Sequence, residues 1–145
     1  MIRLLLYGLF GWCAEIVWTA FYELAAALAA GRRPDVRLIG HTYLWMLPIY
    51  GGGCILFEVV HGAVAPFPWF VRGVIYMVGC FIVEYATGWI IKMISGAIPW
   101  DYSERRWQVH GLIRLDYAPV WFCFGLLLER VETVVRAVEP VLRNL

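Results

Sequence analysis

Glutamates occupy the middle of long apolar stretches in this chain, where no water is at hand to solvate a charge. Glu84 lies within the stretch CFIVEYATGWIIK, and Glu15 repeats the arrangement in an earlier apolar run. An ionised carboxylate in such a place costs about 2.5 kcal/mol or more. Because no Lys or Arg lies mid-run beside either residue, we predict a protonated carboxyl or one that meets an external cation. That chemistry indicates a proton or cation relay or a polar substrate pocket, and a neutral glutamate that only joins helices is an equal alternative.

Small and polar residues surround both glutamates at helical spacing. On the first run, the residues that recur every three or four positions are Gly8, Gly11, Glu15, Thr19 and Glu23. On the third run they are Gly73, Cys80, Glu84 and Gly88, with Thr87 beside them. Residues three or four apart share one face of a helix, so both faces are predicted to turn toward other helices instead of lipid.

The second apolar run contains the stretch LPIYGGG, which predicts a broken helix. Pro48 removes a backbone donor, and the glycines from Gly51 to Gly53 weaken any helix that follows. Broken membrane helices occur where protein or a watery cavity receives the freed backbone groups, and transporters use them at binding sites. We favour a kink with close packing, keep a binding site as the alternative, and take Tyr50 and Gly51 as its candidate residues.

The stretch PWDYS, in the longest polar link, is the last candidate site. Its binding candidates are Trp100, Asp101, Tyr102 and Ser103. Trp and Tyr suit the membrane interface and Asp accepts hydrogen bonds from turn backbone, so a structured interfacial turn is the favoured interpretation. The alternative is acid-base catalysis, for which the candidates are Asp101, Glu84 and His110.

Known signatures of metal or nucleotide chemistry are missing from the sequence. Glu58-x-x-His61 resembles one half of a di-iron motif, which needs two such pairs, and only one is present. The four cysteines form no C-x-x-C pair, and no H-E-x-x-H, G-x-S-x-G or Walker A sequence occurs. We therefore expect no metal and no cofactor, and we favour a protein that is not an enzyme.

The composition of the chain indicates that these residues lie on membrane helices. Of the 145 residues, 62% are hydrophobic and 16% are charged, against about 25% charged residues in a soluble domain. Four apolar segments, at about 4–29, 43–66, 70–94 and 117–138, approach or exceed the roughly 20 residues that cross a bilayer. The prediction is an all-α polytopic membrane protein with a single transmembrane domain over residues 1–145. It has four transmembrane helices, a broken second helix and an ordered interfacial loop before the fourth.

Four stretches carry a family resemblance: GHTYLWMLPIYGGG, VEYATGWIIK, PWDYS and GLIRLDYAPVWFC. The most specific residues within the resemblance are Gly11, Glu15, Pro48, Ile49, Tyr50, Gly51, Glu84, Thr87, Gly88, Trp100, Asp101, Tyr102 and Ser103. From about Tyr7 to Glu129 the chain closely resembles the transmembrane protein 229 family of small multi-pass proteins. It also resembles the bacterial Putative ABC-transporter type IV (CmpB-like) family. Ile39 and Leu44-Trp45 depart from the bacterial pattern and favour the first of the two. The resemblance implies a multi-pass fold and, through the transporter label, a membrane subunit.

Three classes of function follow for an integral, multi-pass membrane protein. The favoured class is transport or ion coupling as a permease-like subunit, since four small helices leave little room for a pathway of their own. A lipid-directed intramembrane or interfacial enzyme and an assembly or scaffold protein are the alternatives. Expected partners are the lipid bilayer and either a second copy or a partner membrane subunit. A net charge of +1 without a basic block argues against nucleic acid.

Overall fold

The computed structural model describes residues 1–144, and within them three helices are long and apolar enough to cross a membrane. They are α1 (Ile2–Ala29), α2 (Met46–Val64) and α3 (Trp69–Ser95). The fourth predicted segment is also helical, as α4 (Ala118–Arg143). A mostly helical membrane fold is therefore confirmed, whereas the fourth membrane crossing stays a prediction.

Packing divides the chain into two compact units, and the boundary falls within the glycines of α2. The first unit is Met1–Gly52, and the second begins at Gly53. The single transmembrane domain remains a prediction.

The second helix runs without interruption from Met46 to Val64, so the predicted break is wrong. Pro48 is the third residue of α2, in the first turn, where a backbone N–H has no partner within the helix in any case. Gly51 is accommodated because it lies against α1, where an added Cβ would come within 2.5 Å of the carbonyl oxygen of Leu4. Packing between two backbones therefore outweighs the low helix propensity of glycine, as the close-packing interpretation expected.

In the second unit, α3 and α4 pack through glycines on both helices. Gly73 of α3 leaves room for the ring of Phe122, and Gly125 of α4 leaves room for Tyr76. An added Cβ at either glycine would lie within 2.5 Å of the facing side chain. Tyr76 is buried as a result, and its hydroxyl donates a hydrogen bond to Glu129.

The loop between α3 and α4 contains a short β-hairpin, so the all-α prediction is wrong in this detail. Strand β1 (Gln108–Val109) pairs antiparallel with β2 (Ile113–Arg114). Three residues, His110, Gly111 and Leu112, connect the strands, and the backbone N–H of Leu112 donates to the carbonyl of Val109 at 3.0 Å. His110 and Gly111 are the two central residues of this turn, with φ values of 55° and 71°, and Gly111 adopts this conformation without strain. Strands of two residues are too short to produce an alternating pattern in the sequence, which is why the hairpin was not predicted.

Candidate functional site

Glu84 lies half-buried on α3 and meets the loop that follows this helix. The hydroxyl of Tyr102 donates a hydrogen bond to its carboxylate, whose Oε2 atom is shielded from solvent. One turn further along α3, Gly88 allows the loop to approach, since an added Cβ would lie 2.9 Å from Cδ2 of Leu112. The face of the third helix that was predicted to turn toward protein is thus covered by loop residues.

Hydrogen bonds within the loop hold Tyr102 in place. Its backbone N–H donates to the carbonyl of Gly111 at 2.9 Å, and the indole N–H of Trp100 donates to the carbonyl of Leu112 at 2.9 Å. Leu112 is completely buried. Burial, followed by the charge of Glu84, raises the pKa of Tyr102, so its hydroxyl keeps its proton.

Asp101 has a structural partner within the same turn. Its Oδ1 atom accepts the backbone N–H of Ser103 at 2.8 Å. Hydrogen bonds from the side chain and the backbone of Ser103 hold the pKa of this exposed carboxyl below its ordinary value. An ionised Asp that binds the amide two residues later is the arrangement expected of a structured turn.

His110 is bonded to α3 through Tyr85. Its Nδ1 atom lies 2.8 Å from the hydroxyl of Tyr85, and its ring also contacts Trp89, at 6.3 Å between centroids. The three catalytic candidates therefore have three different partners: Tyr102 for Glu84, Ser103 for Asp101 and Tyr85 for His110. Their catalytic role stays a prediction.

Arg114, which was not among the predicted site residues, adds a buried cation to the loop. Only 7% of the residue is exposed, and its guanidinium lies 4.1 Å from the ring centroid of Tyr117 and 5.8 Å from that of Tyr102. Its Nε atom donates to Asp116 at 2.9 Å, and this contact lowers the pKa of Asp116. The available sequence signal was Tyr117, three residues after Arg114 in GLIRLDY, since guanidinium groups stack on aromatic rings.

Glu15 lies in the first unit, where the predicted face of α1 meets residues 40–51. The hydroxyls of Thr42 and Tyr50 both donate to its carboxylate. Gly11 lies directly against the ring of Tyr50, where a Cβ could not be placed. Thr19 donates to the carbonyl of His41 at 3.0 Å. The face of Gly11, Glu15 and Thr19 therefore contacts protein, as predicted, and the candidates Tyr50 and Gly51 both belong to the segment that it contacts.

A second group of charged side chains joins α2, α3 and α4, and sequence analysis missed it. This ionic cluster consists of Glu58, His61, Arg72, Glu129, Glu132 and Arg136. Arg72 contacts both carboxylate oxygens of Glu129, at 2.7 and 3.0 Å, and the hydroxyl of Tyr76 donates to the same group at 3.0 Å. The i, i+3, i+7 spacing of the three α4 members was the available signal. It was missed because His61 and Arg72, which bind Glu132 and Glu129, lie on other helices.

The three long apolar helices, together with carboxylates that find hydroxyl partners within the protein, indicate a membrane protein. The chain belongs to the family described as Putative ABC-transporter type IV, whose profile matches residues 2–144. The resemblance to the transmembrane protein 229 family stays a prediction. No solved structure matches the chain.

Proposed function

We propose that the protein is a multi-pass membrane subunit of an ion-coupled transport system, in which the carboxyl of Glu84 takes up and releases a proton. The observation that carries this proposal is the hydrogen bond between Glu84, near the middle of α3, and Tyr102 of the loop. The transporter-type family and the long apolar helices support the same class of function.

A tyrosine hydroxyl is a suitable partner for a carboxyl that changes charge. The hydroxyl of Tyr102 donates to an ionised Glu84 and can accept a hydrogen bond from a protonated one. The guanidinium of Arg114, which lies 5.8 Å from the ring centroid of Tyr102, adds positive charge beside the site. Both charge states of Glu84 therefore have a partner, and proton exchange does not leave a buried group unsatisfied.

The charged residues of α4 are compatible with a fourth membrane crossing. Its 26 residues span about 39 Å, which exceeds a hydrocarbon core of about 30 Å. Glu129 and Glu132 bind Arg72 and His61 of the neighbouring helices, so these charges face protein. Four crossings leave little space for a separate pathway, and the proposed subunit therefore acts with a second copy or with a partner membrane subunit.

The lipid-enzyme alternative gains no support from the loop. Asp101 is occupied by the turn that it stabilises, and His110 is bonded to Tyr85. An acid-base pair acting on one substrate needs both groups within hydrogen-bond reach of the same reacting atoms.

The test is a titration of Glu84 in lipid by infrared difference spectroscopy, from about pH 4 to about pH 10, a range that covers ordinary and raised carboxyl pKa values. We expect a carboxyl band that appears and disappears with pH, is absent in Glu84→Gln and is displaced in Tyr102→Phe. Glu23→Gln, at the far end of the stripe on α1, is the control and should keep the band. A Glu84 that holds one protonation state throughout would refute the proposal and favour the assembly alternative, in which the residue only joins α3 to the loop.

A further inference from the structure

His61 and Glu132 form a close pair between two helices of the ionic cluster. The Nδ1 atom of His61 on α2 lies 2.6 Å from Oε2 of Glu132 on α4. The glutamate side chain is only 10% exposed, whereas the histidine side chain is 25% exposed. A carboxylate accepts hydrogen bonds only, so Nδ1 of the imidazole must carry a hydrogen in this contact. The other ring nitrogen, Nε2, is the position at which a further proton can bind.

Glu132 also accepts a hydrogen bond from a cation, Arg136. Its other oxygen, Oε1, accepts the Nε–H of Arg136 at 2.7 Å, and Arg136 also donates to Oε2 of Glu58 at 3.0 Å. The side chain of Arg136 is 52% exposed, so the cluster extends from a nearly buried carboxylate to the surface of the unit. An imidazole and a guanidinium therefore bind the two oxygens of one carboxylate.

The remaining groups around His61 come from all three helices. On its own helix, Phe57 packs against its ring and Glu58 lies one turn away. On α3, the ring of Tyr76 meets it edge to face at 6.2 Å, and Arg72 reaches the cluster through Glu129. On α4, Glu129 interacts electrostatically with His61. Glu132 and Arg136 complete the cluster. The group that can add a positive charge to this arrangement at physiological pH is the imidazole.

We propose that the imidazole of His61 is a proton-binding site whose occupancy controls how firmly α2 is joined to α4. When a proton binds Nε2, the contact with Glu132 becomes an ion pair with a shared hydrogen, which is stronger than the same contact made by a neutral ring. When that proton leaves, only the neutral hydrogen bond remains. While Glu132 is ionised, the contact between α2 and α4 is therefore stronger with the proton bound to His61, and it weakens when rising pH removes that proton. This inference concerns a different site from Glu84 and does not rest on the proposed function.

The direct test observes the imidazole itself by nitrogen NMR in lipid. The chain contains three histidines, so the double variant His41→Gln/His110→Gln leaves His61 as the sole imidazole. We expect its resonances to move between the charged and neutral positions as pH is raised, because the ring nitrogen Nε2 gains and loses a proton. Adding Glu132→Gln should displace that transition, because the carboxylate that contacts the ring at 2.6 Å is gone. An imidazole with one protonation state throughout, or a transition unaffected by Glu132→Gln, would overturn the proposal.

Thermal unfolding provides the second measurement. The unfolding midpoint of the parent protein should fall as pH rises and the proton leaves His61, and that fall should be smaller in His61→Gln. The matched control is His110→Gln, which removes a different imidazole, on the loop. Its unfolding midpoint should fall with rising pH as that of the parent does. Equal falls in His61→Gln and His110→Gln would show that proton binding at His61 does not hold the helices. If His61→Gln does not fold, the NMR titration of the double variant decides the question alone.

Discussion

Two neighbouring glycines of α2 provide a sharp test of close packing in the first unit. A Cβ added to Gly51 would lie 2.5 Å from the carbonyl oxygen of Leu4, about 0.9 Å short of an ordinary contact of 3.4 Å. A Cβ added to Gly52 would have no heavy atom of residues 1–144 within 4 Å. The obstacle at Gly51 is backbone, which cannot rotate away as a flexible side chain would, so α1 and α2 must separate.

The expected magnitudes follow from two opposing effects. Alanine in place of glycine favours a helix by about 1 kcal/mol at either position. Overpacking at Gly51 costs about 1 to 3 kcal/mol. Because Gly51→Ala and Gly52→Ala share the helix-propensity gain, their difference in unfolding free energy isolates the packing effect. We expect Gly51→Ala to be less stable than Gly52→Ala by about 1 to 3 kcal/mol, and Gly52→Ala to equal or exceed the parent.

Reversible unfolding in mixed micelles, followed by circular dichroism, measures both variants against the parent. Oligomer size is recorded in parallel, since the open side of Gly52 is the side on which an added methyl group could disturb a second copy. Equal stability of the two variants, or a less stable Gly52→Ala in a preparation of unchanged oligomer size, would refute the packing assigned to Gly51.

Two further predictions concern the second unit. Amide exchange should be slower at Ser103 than at Glu104, because Ser103 donates to Asp101; Asp101→Ala should remove the difference. Since the pKa of Asp101 is lowered, this protection should persist through neutral and mildly acidic pH and disappear only as pH falls through that lowered value. Protection that is lost near neutral pH would contradict the assignment. Arg72→Gln should lower the unfolding midpoint clearly, because Glu129 loses a cation that binds both of its oxygens, whereas the exposed neighbour Arg130→Gln should change it little. Similar midpoints for the two variants would show that the contact between Arg72 and Glu129 contributes nothing.

Features that depend on one segment were predictable from the sequence. The apolar runs of α1 and α3 were located within a few residues of their ends because apolar length is a local property. The stripe around Glu15 was identified for the same reason, since helical spacing alone places Gly11, Glu15 and Thr19 on one face.

Features that depend on contacts between segments were not predictable. The break in α2 was inferred from the low propensity of Gly51, and the backbone of α1 that compensates for it is about 47 positions away in the chain. The ionic cluster was missed for a similar reason, because Arg72 and Glu129 are 57 positions apart. Neither the composition nor the spacing of one helix reveals which partner another helix supplies.

The partner of Glu84 is a further contact that the sequence did not predict. Glu84 lies 11 residues before the end of α3, which corresponds to about 16 Å along the helix axis. Tyr102 nevertheless reaches its carboxylate, so the loop after α3 must turn back and run beside the last turns of the helix. Non-helical backbone at that depth is stable only when its own polar groups are bonded, and the hairpin and the bond from Trp100 to Leu112 provide this. A carboxyl without a nearby cation in the sequence therefore does have a partner, a hydroxyl that the polar link carries back to the middle of the helix.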